Sequence, residues 1–167
     1  MDFELFRQIR GKKMVKINFV VVGKIKENYY REALSEYLKR LSAYAKVSVI
    51  EVKEENPPLE QDVKKTLQTE GRNIIEKLRG KVIALAIEGK KYSSEALSSL
   101  IKGYVDKGEE MTFVIGSSRG LSDEVKGKAD VKLSFSDMTF PHALMRVILA
   151  EQVYRAFTII AGTGYHK

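Results

Sequence analysis

The sequence predicts an α/β fold, a single domain with a mostly parallel sheet and flanking helices. Three observations predict it. Five short runs rich in Val, Ile and Phe recur along the chain, and each is followed by a segment with apolar residues at helical spacing. Several of these runs are continuously apolar rather than alternating, which is the pattern of strands buried on both faces. No linker, repeat or low-complexity tract divides the 167 residues, a length that suits one domain.

The first strand is Val15 to Val22, closed by Gly23. Tyr30, Ala33, Leu34, Tyr37, Leu38, Leu41 and Tyr44 then recur at helical spacing, so a helix is expected over Asn28 to Ala45, with Asn28 as its cap. Val47, Val49 and Val52 mark the second strand, and Glu54 to Pro58 is a loop because two prolines cannot sit inside an element. Leu59, Val63, Leu67, Ile74, Ile75 and Leu78 trace a long helix to Arg79, with Gly80 at its end. Gly71 lies inside that helix at a cost of about 1 kcal/mol against Ala, so close packing or a break is expected there. Val82 to Ile87 is the third strand. Ser93 or Ser94 caps the next helix, whose inner face is Leu97, Leu100, Ile101, Tyr104 and Val105 and which ends at Lys107-Gly108.

Met111 to Ile115 is the fourth strand, and Gly116 to Leu121 is a loop whose two glycines permit positive φ and close approach of another molecule. Ser122 followed by Asp123 and Glu124 reads as a helix start. Val131 to Phe135 is the fifth strand. Pro141 suits the first turn of the last helix, His142 to Ile160, with Thr139 or Phe140 just outside it. Leu144, Met145, Val147, Ile148, Leu149, Val153, Tyr154, Phe157, Ile159 and Ile160 coat most of that helix, and only Arg146, Glu151, Gln152 and Arg155 break the coat. A helix apolar nearly all round is covered on more than one side, and a homodimer through this helix is the expected cover. Glu151 and Arg155, four apart, are placed to pair.

Composition narrows the function. Hydrophobic content of 44% and charged content of 31% fit a globular protein. No apolar run approaches the ~20 residues of a membrane span, and residues 1–13 have no apolar stretch of the signal-peptide kind. Those thirteen residues read as an extension or an alternative start, with the domain proper over 14–167. The absence of cysteine excludes a disulfide framework and thiolate metal sites and fits a reducing cytoplasm. Two histidines and no carboxylate cluster of ligand spacing argue against a metal. A net charge of +7 favours polyanionic partners, RNA foremost, although lysine-rich surfaces also serve solubility.

Ligands of open α/β sheets gather at the carboxyl ends of the strands. Three such ends stand out: Leu85 to Gly89, Gly116 to Leu121 and Phe135 to Phe140. Taken alone, Gly116 reads first as a turn glycine and Leu85, Phe135 and Met138 as ordinary core, and Ser136 and Thr139 can serve as helix caps. The loop after Gly116 fits neither the Rossmann nor the Walker pattern.

Several runs resemble one family. Phe113-Val114-Ile115-Gly116, Leu133 through His142, Met145-Arg146-Val147, Glu151 through Ala156 and the terminal Tyr165-His166-Lys167 are similar to the RlmH family of SPOUT-class methyltransferases. The similarity continues upstream through Val22-Gly23-Lys24, Glu36 to Arg40, Glu70-Gly71 and Glu88-Gly89-Lys90, so it spans 14–167. The resemblance implies a trefoil knot formed by 111–167 and methylation of N3 of a pseudouridine in large-subunit ribosomal RNA with S-adenosylmethionine as cofactor. It implies cofactor contacts at Leu85, Gly116, Phe135, Ser136, Asp137, Met138, Thr139 and Phe140. Methyl transfer chiefly needs alignment, but N3 must also lose a proton. His142, Arg119, Arg155, Tyr165 and His166 are the groups able to assist. His166, with Tyr165 and Arg155, is the expected catalytic set, its tail folding back over a pocket, and the resemblance admits reach across a dimer. A SPOUT enzyme acting on transfer RNA and a non-catalytic ribosome-associated binding protein are the competing readings.

Overall fold

The computed structural model describes residues 14–57 and 59–167. The reading of residues 1–13 as an extension lies outside that range, as does Pro58.

The chain alternates strand and helix five times: β1 (Lys16–Val22), α1 (Asn28–Leu41), β2 (Lys46–Val52), α2 (Val63–Ile75), β3 (Lys81–Lys91), α3 (Ser94–Asp106), β4 (Met111–Ile115), α4 (Asp123–Lys128), β5 (Val131–Ser134) and α5 (His142–Ile160). Among the described residues every strand pairing in the sheet is parallel, and the strand order is β2-β1-β4-β3-β5. Every carboxyl end therefore faces one edge of the sheet. Alternate residues point to opposite faces. Ile17, Phe19, Val21, Ile83, Met111 and Phe113 pack with α1, α3 and α5. Val20, Val22, Val82, Ala84 and Val114 pack with α2 and α4.

Local signals explain most element ends. Ser93 Oγ accepts from the Ala96 N–H at 3.1 Å and Ser122 Oγ from the Val125 N–H at 3.3 Å, so both serines cap as expected. Other boundaries differ. The α1 cap is Glu27, without a side-chain bond, while Asn28 Oδ1 accepts from Arg31. α5 is preceded by Pro141 itself rather than by Thr139 or Phe140. The long helix expected from Leu59 to Arg79 is a 3-10 turn, Glu60–Asp62, followed by the shorter α2, and the Leu59 side chain is exposed. Gly71 is explained by close packing, since a Cβ there would lie 2.4 Å from Ser122 Oγ.

β3 runs four residues beyond the expected Ile87. Both Leu85 and Lys90 pair with Leu133, so the intervening residues 86–89 loop out of register before pairing resumes. A bulge of this kind bends a strand and re-aims its side chains.

Cover for α5 comes in part from the chain itself, because α1 and α3 both pack along it. Leu144, Val147, Ile148, Ile159 and Ile160 remain half-buried. Arg146 does not break the apolar coat; it is 2% exposed and its Nη2 donates to the carbonyls of Val22 at 2.7 Å and Gly23 at 2.9 Å. The end of β1 has carbonyls without sheet partners, and a guanidinium reaching up from α5 supplies their donor. Burial pushes the Arg146 pKa down, against Glu51 and Glu54. Arg146→Ala leaves both carbonyls unpaired and opens a cavity, so it is expected to cost about 2–4 kcal/mol, read as a lower midpoint of urea unfolding at unchanged slope.

Candidate active site

A cavity of about 790 Å³ opens at the carboxyl edge, where β3, β4 and β5 end. Its walls come from three segments: 85–88 of β3, 115–121 at the end of β4, and 133–136 with 138–142 at the end of β5, completed by Lys126 of α4 and Met145 of α5. Parallel register brings these ends together, and the bulge turns Ala86, Ile87 and Glu88 toward the opening. Size and lining suit a nucleoside-sized ligand, with apolar side chains for a flat ring and main-chain groups for its polar edge.

Of the cofactor residues expected from the sequence, Leu85, Gly116, Phe135, Ser136, Met138, Thr139 and Phe140 all line this cavity. Asp137 does not; its carboxylate pairs with Lys91 of the extended β3. Ser134 Oγ donates to the Ser136 carbonyl at 3.1 Å, and Ser136 Oγ accepts from the Met138 N–H at 3.0 Å, which fixes a tight turn after β5. Gly116 is needed for close approach within its own loop, because a Cβ there would sit 2.3 Å from the Gly120 carbonyl oxygen.

Polar groups in the lining include Glu88, Arg119, Lys126 and His142. Glu88 and Lys126 pair at 2.6 Å, and that lysine holds the Glu88 carboxyl below its usual range. Neither residue was singled out as a site residue from the sequence. Glu88 lies in a strand end already marked as functional, but Lys126 gives no signal, since a lysine on a short helix reads as solvated.

Arg155, Tyr165 and His166 form a separate cluster, and none of them lines the cavity. After Gly162 the tail doubles back along α5. Arg155 pairs with Glu151 at 2.6 Å, as its spacing predicted. Tyr165 OH donates to Glu151 Oε1 at 3.1 Å, its ring lies edge-on to Tyr154 at 4.9 Å, and the Arg155 guanidinium covers it at 4.7 Å. Burial, then Glu151, pushes the Tyr165 pKa up to about 12, so the phenol stays a donor at neutral pH. His166 Nδ1 faces Arg155 Nη1 at 3.3 Å and its Nε2 faces Glu95 Oε1 at 2.8 Å. A guanidinium only donates, so Nδ1 accepts and the proton sits on Nε2, directed at Glu95. Glu95 lies at about 2, held down by its own main-chain N–H and then by His166 and Ser93.

A profile described as "Predicted SPOUT methyltransferase" matches residues 15–166. The chain belongs to the SPOUT methyltransferase family. It is therefore an enzyme of that class. Among curated SPOUT relatives, a protein of Bacillus pumilus named ribosomal RNA large subunit methyltransferase H is 50% identical over 159 residues, covering 92% of this chain and 100% of that protein. Proteins of the same name from Carboxydothermus hydrogenoformans and Oenococcus oeni are 50% and 48% identical, each again over 92% of this chain and 100% of the relative. The fold also matches a probable methyltransferase from Bordetella pertussis, with a TM-score of 0.55 over 93% of this chain and 99% of that one at 9% identity. Among the described residues no helix is long and apolar enough to cross a membrane, and no group of three or more His, Asp or Glu is placed to hold a metal.

Proposed function

We propose that this SPOUT enzyme transfers a methyl group from S-adenosylmethionine to N3 of a pseudouridine in large-subunit ribosomal RNA, acting as a cytoplasmic homodimer on the ribosome. One observation carries most weight: the three strand ends marked from sequence meet in one cavity of nucleoside size. The shared name of relatives at 48–50% identity supports the ribosomal substrate, and the net charge of +7 suits a polyanion.

When bound, S-adenosylmethionine supplies an electrophilic methyl group on a sulfonium sulfur. Leu85, Phe135 and Phe140 would enclose its adenine, with Met138 at the rim, where it is 72% exposed. The main chain of 116–121 and 134–140 would meet its polar edge. Excluding water and fixing the acceptor in line are the protein's main contributions.

The acceptor N3 gives up its proton as the new N–C bond forms. His166 is assigned to position the acceptor or take that proton, with Tyr165 and Arg155 holding the tail. Within one subunit these groups stand apart from the cavity, which favours a tail that serves the cavity of the partner across the half-buried face of α5. Once His166 Nε2 leaves Glu95, its N–H can donate to the acceptor and position it; to take the N3 proton at Nε2, the imidazole must first carry its own proton on Nδ1, which requires Arg155 to release that nitrogen. The same reading includes a trefoil knot in 111–167.

Ribosomes from a strain lacking this methylation, incubated with the protein and labelled S-adenosylmethionine, are expected to carry label at a single large-subunit pseudouridine. Label in transfer RNA, or none at all, overturns the proposal.

A further inference from the structure

Glu70 sits on α2, behind the cavity wall, and is 2% exposed. Among the described residues no cation pairs with it. Its Oε1 accepts from the Glu55 N–H at 2.9 Å, in the loop after β2, and its Oε2 accepts from the Ser117 hydroxyl at 3.1 Å. Burial raises the Glu70 pKa, Glu54 and Glu55 add to that, and the two hydrogen bonds pull the other way. An acid buried without a cation is a standing cost to the fold.

The position of that acid is informative. Ser117 lines the cavity, directly after Gly116. The neighbour of Glu70, Gly71, lies against Ser122, which caps α4. α4 in turn carries Lys126, the partner of Glu88 in the β3 bulge. Adjacent residues of α2 thus hold both ends of the 117–122 loop, one by a hydrogen bond to a carboxylate and the other by close packing.

We infer that Glu70 is a positioning residue for the cofactor, acting through Ser117 to fix the 116–121 loop. The inference rests on the proposed S-adenosylmethionine site and names a residue outside the cavity that sets its shape.

The test is titration calorimetry with S-adenosylmethionine on Glu70→Ala, Glu70→Gln, Ser117→Ala and the Glu70→Ala/Ser117→Ala double variant, beside thermal unfolding and ribosome-methylation kinetics. Glu70→Gln keeps both bonds, because its oxygen accepts from Glu55 while its amide donates to a Ser117 hydroxyl turned to accept. It is expected to bind within about twofold of the parent, whereas Glu70→Ala and Ser117→Ala each weaken binding about tenfold. The double variant is expected to match the single variants rather than to lose about a hundredfold, since both remove one interaction. The kinetic loss falls on the cofactor KM and spares kcat.

A purely structural role predicts a lowered unfolding temperature with unchanged cofactor affinity in Glu70→Ala, or additive losses in the double variant, and either result overturns the inference. Should Glu70→Ala not fold, Ser117→Ala at parental affinity overturns it equally. A parent protein that does not bind S-adenosylmethionine removes the proposed cofactor site itself, a failure distinct from all of these.

Discussion

Removal of Tyr165 to Lys167 is expected to abolish methylation of ribosomes while leaving S-adenosylmethionine affinity within about twofold. No residue of the tail lines the cavity, so its loss leaves every cavity wall of the chain in place. What it removes is the His166 imidazole and the Tyr165 hydroxyl. If His166 acts in proton transfer, His166→Ala alone lowers kcat by about 10²–10⁴-fold, the usual range for one general acid or base. Tyr165→Phe keeps the ring against Tyr154 and under Arg155 but loses the bond to Glu151, so it separates packing from hydrogen bonding.

If the proposed homodimer forms, mixed dimers decide where the tail works. One subunit lacks the tail, and the other keeps the tail but carries a disabled cavity. Action across the dimer gives one working site, with about half the activity of the parent, because the intact tail reaches the intact cavity. Action within a subunit gives none. Full turnover by the truncated protein would reject any catalytic part for the tail.

The strand–helix order was legible because a parallel sheet buried on both faces needs continuous apolar runs, and Val82 to Ala84 and Met111 to Ile115 are such runs. The end of β3 was not. Glu88-Gly89-Lys90-Lys91 reads as a polar loop, and it becomes strand only because the chain re-enters register with β5 after a bulge. Arg146 was misread for a related reason. Helical periodicity scores a charge as a break in an apolar coat, whereas the structure uses that charge to satisfy carbonyls contributed by a strand 123 and 124 residues away in sequence.

Glu70 shows the same limit: on a helix an acid looks solvated until the loops that it joins are seen. Topology marks the strand ends as the place where ligands gather, but only the family resemblance separates the individual cavity residues from ordinary core and turn residues. The tail cluster was only half legible. Spacing announces the Glu151–Arg155 pair, and the glycines at 162 and 164 permit a tail that folds back, but nothing local says that it lands on that pair rather than over the cavity.

Gly116→Ala is expected to weaken S-adenosylmethionine binding more than thirtyfold, on the order of 2 kcal/mol, with a similar loss of unfolding free energy. The obstacle is space rather than dihedral angle, because Gly116 has no positive φ. An added Cβ would stand 2.3 Å from the Gly120 oxygen, 2.6 Å from its carbonyl carbon and 3.0 Å from Leu121 Cδ2. Two of these atoms are main chain and cannot swing aside. The turn that brings them there is itself closed by the Gly120 N–H donating to the Ser117 carbonyl at 2.9 Å. Relief therefore requires the whole 117–120 turn to move, and that turn is a cavity wall tied to Glu70 through Ser117.

Gly103→Ala is the control. Gly103 lies in α3 with open space around its added Cβ, so alanine there is expected to be neutral or to stabilise by up to about 1 kcal/mol, without touching cofactor affinity. Parental affinity in Gly116→Ala would mean that the 116–121 loop yields freely, and a loop that yields freely cannot be what shapes the cofactor site.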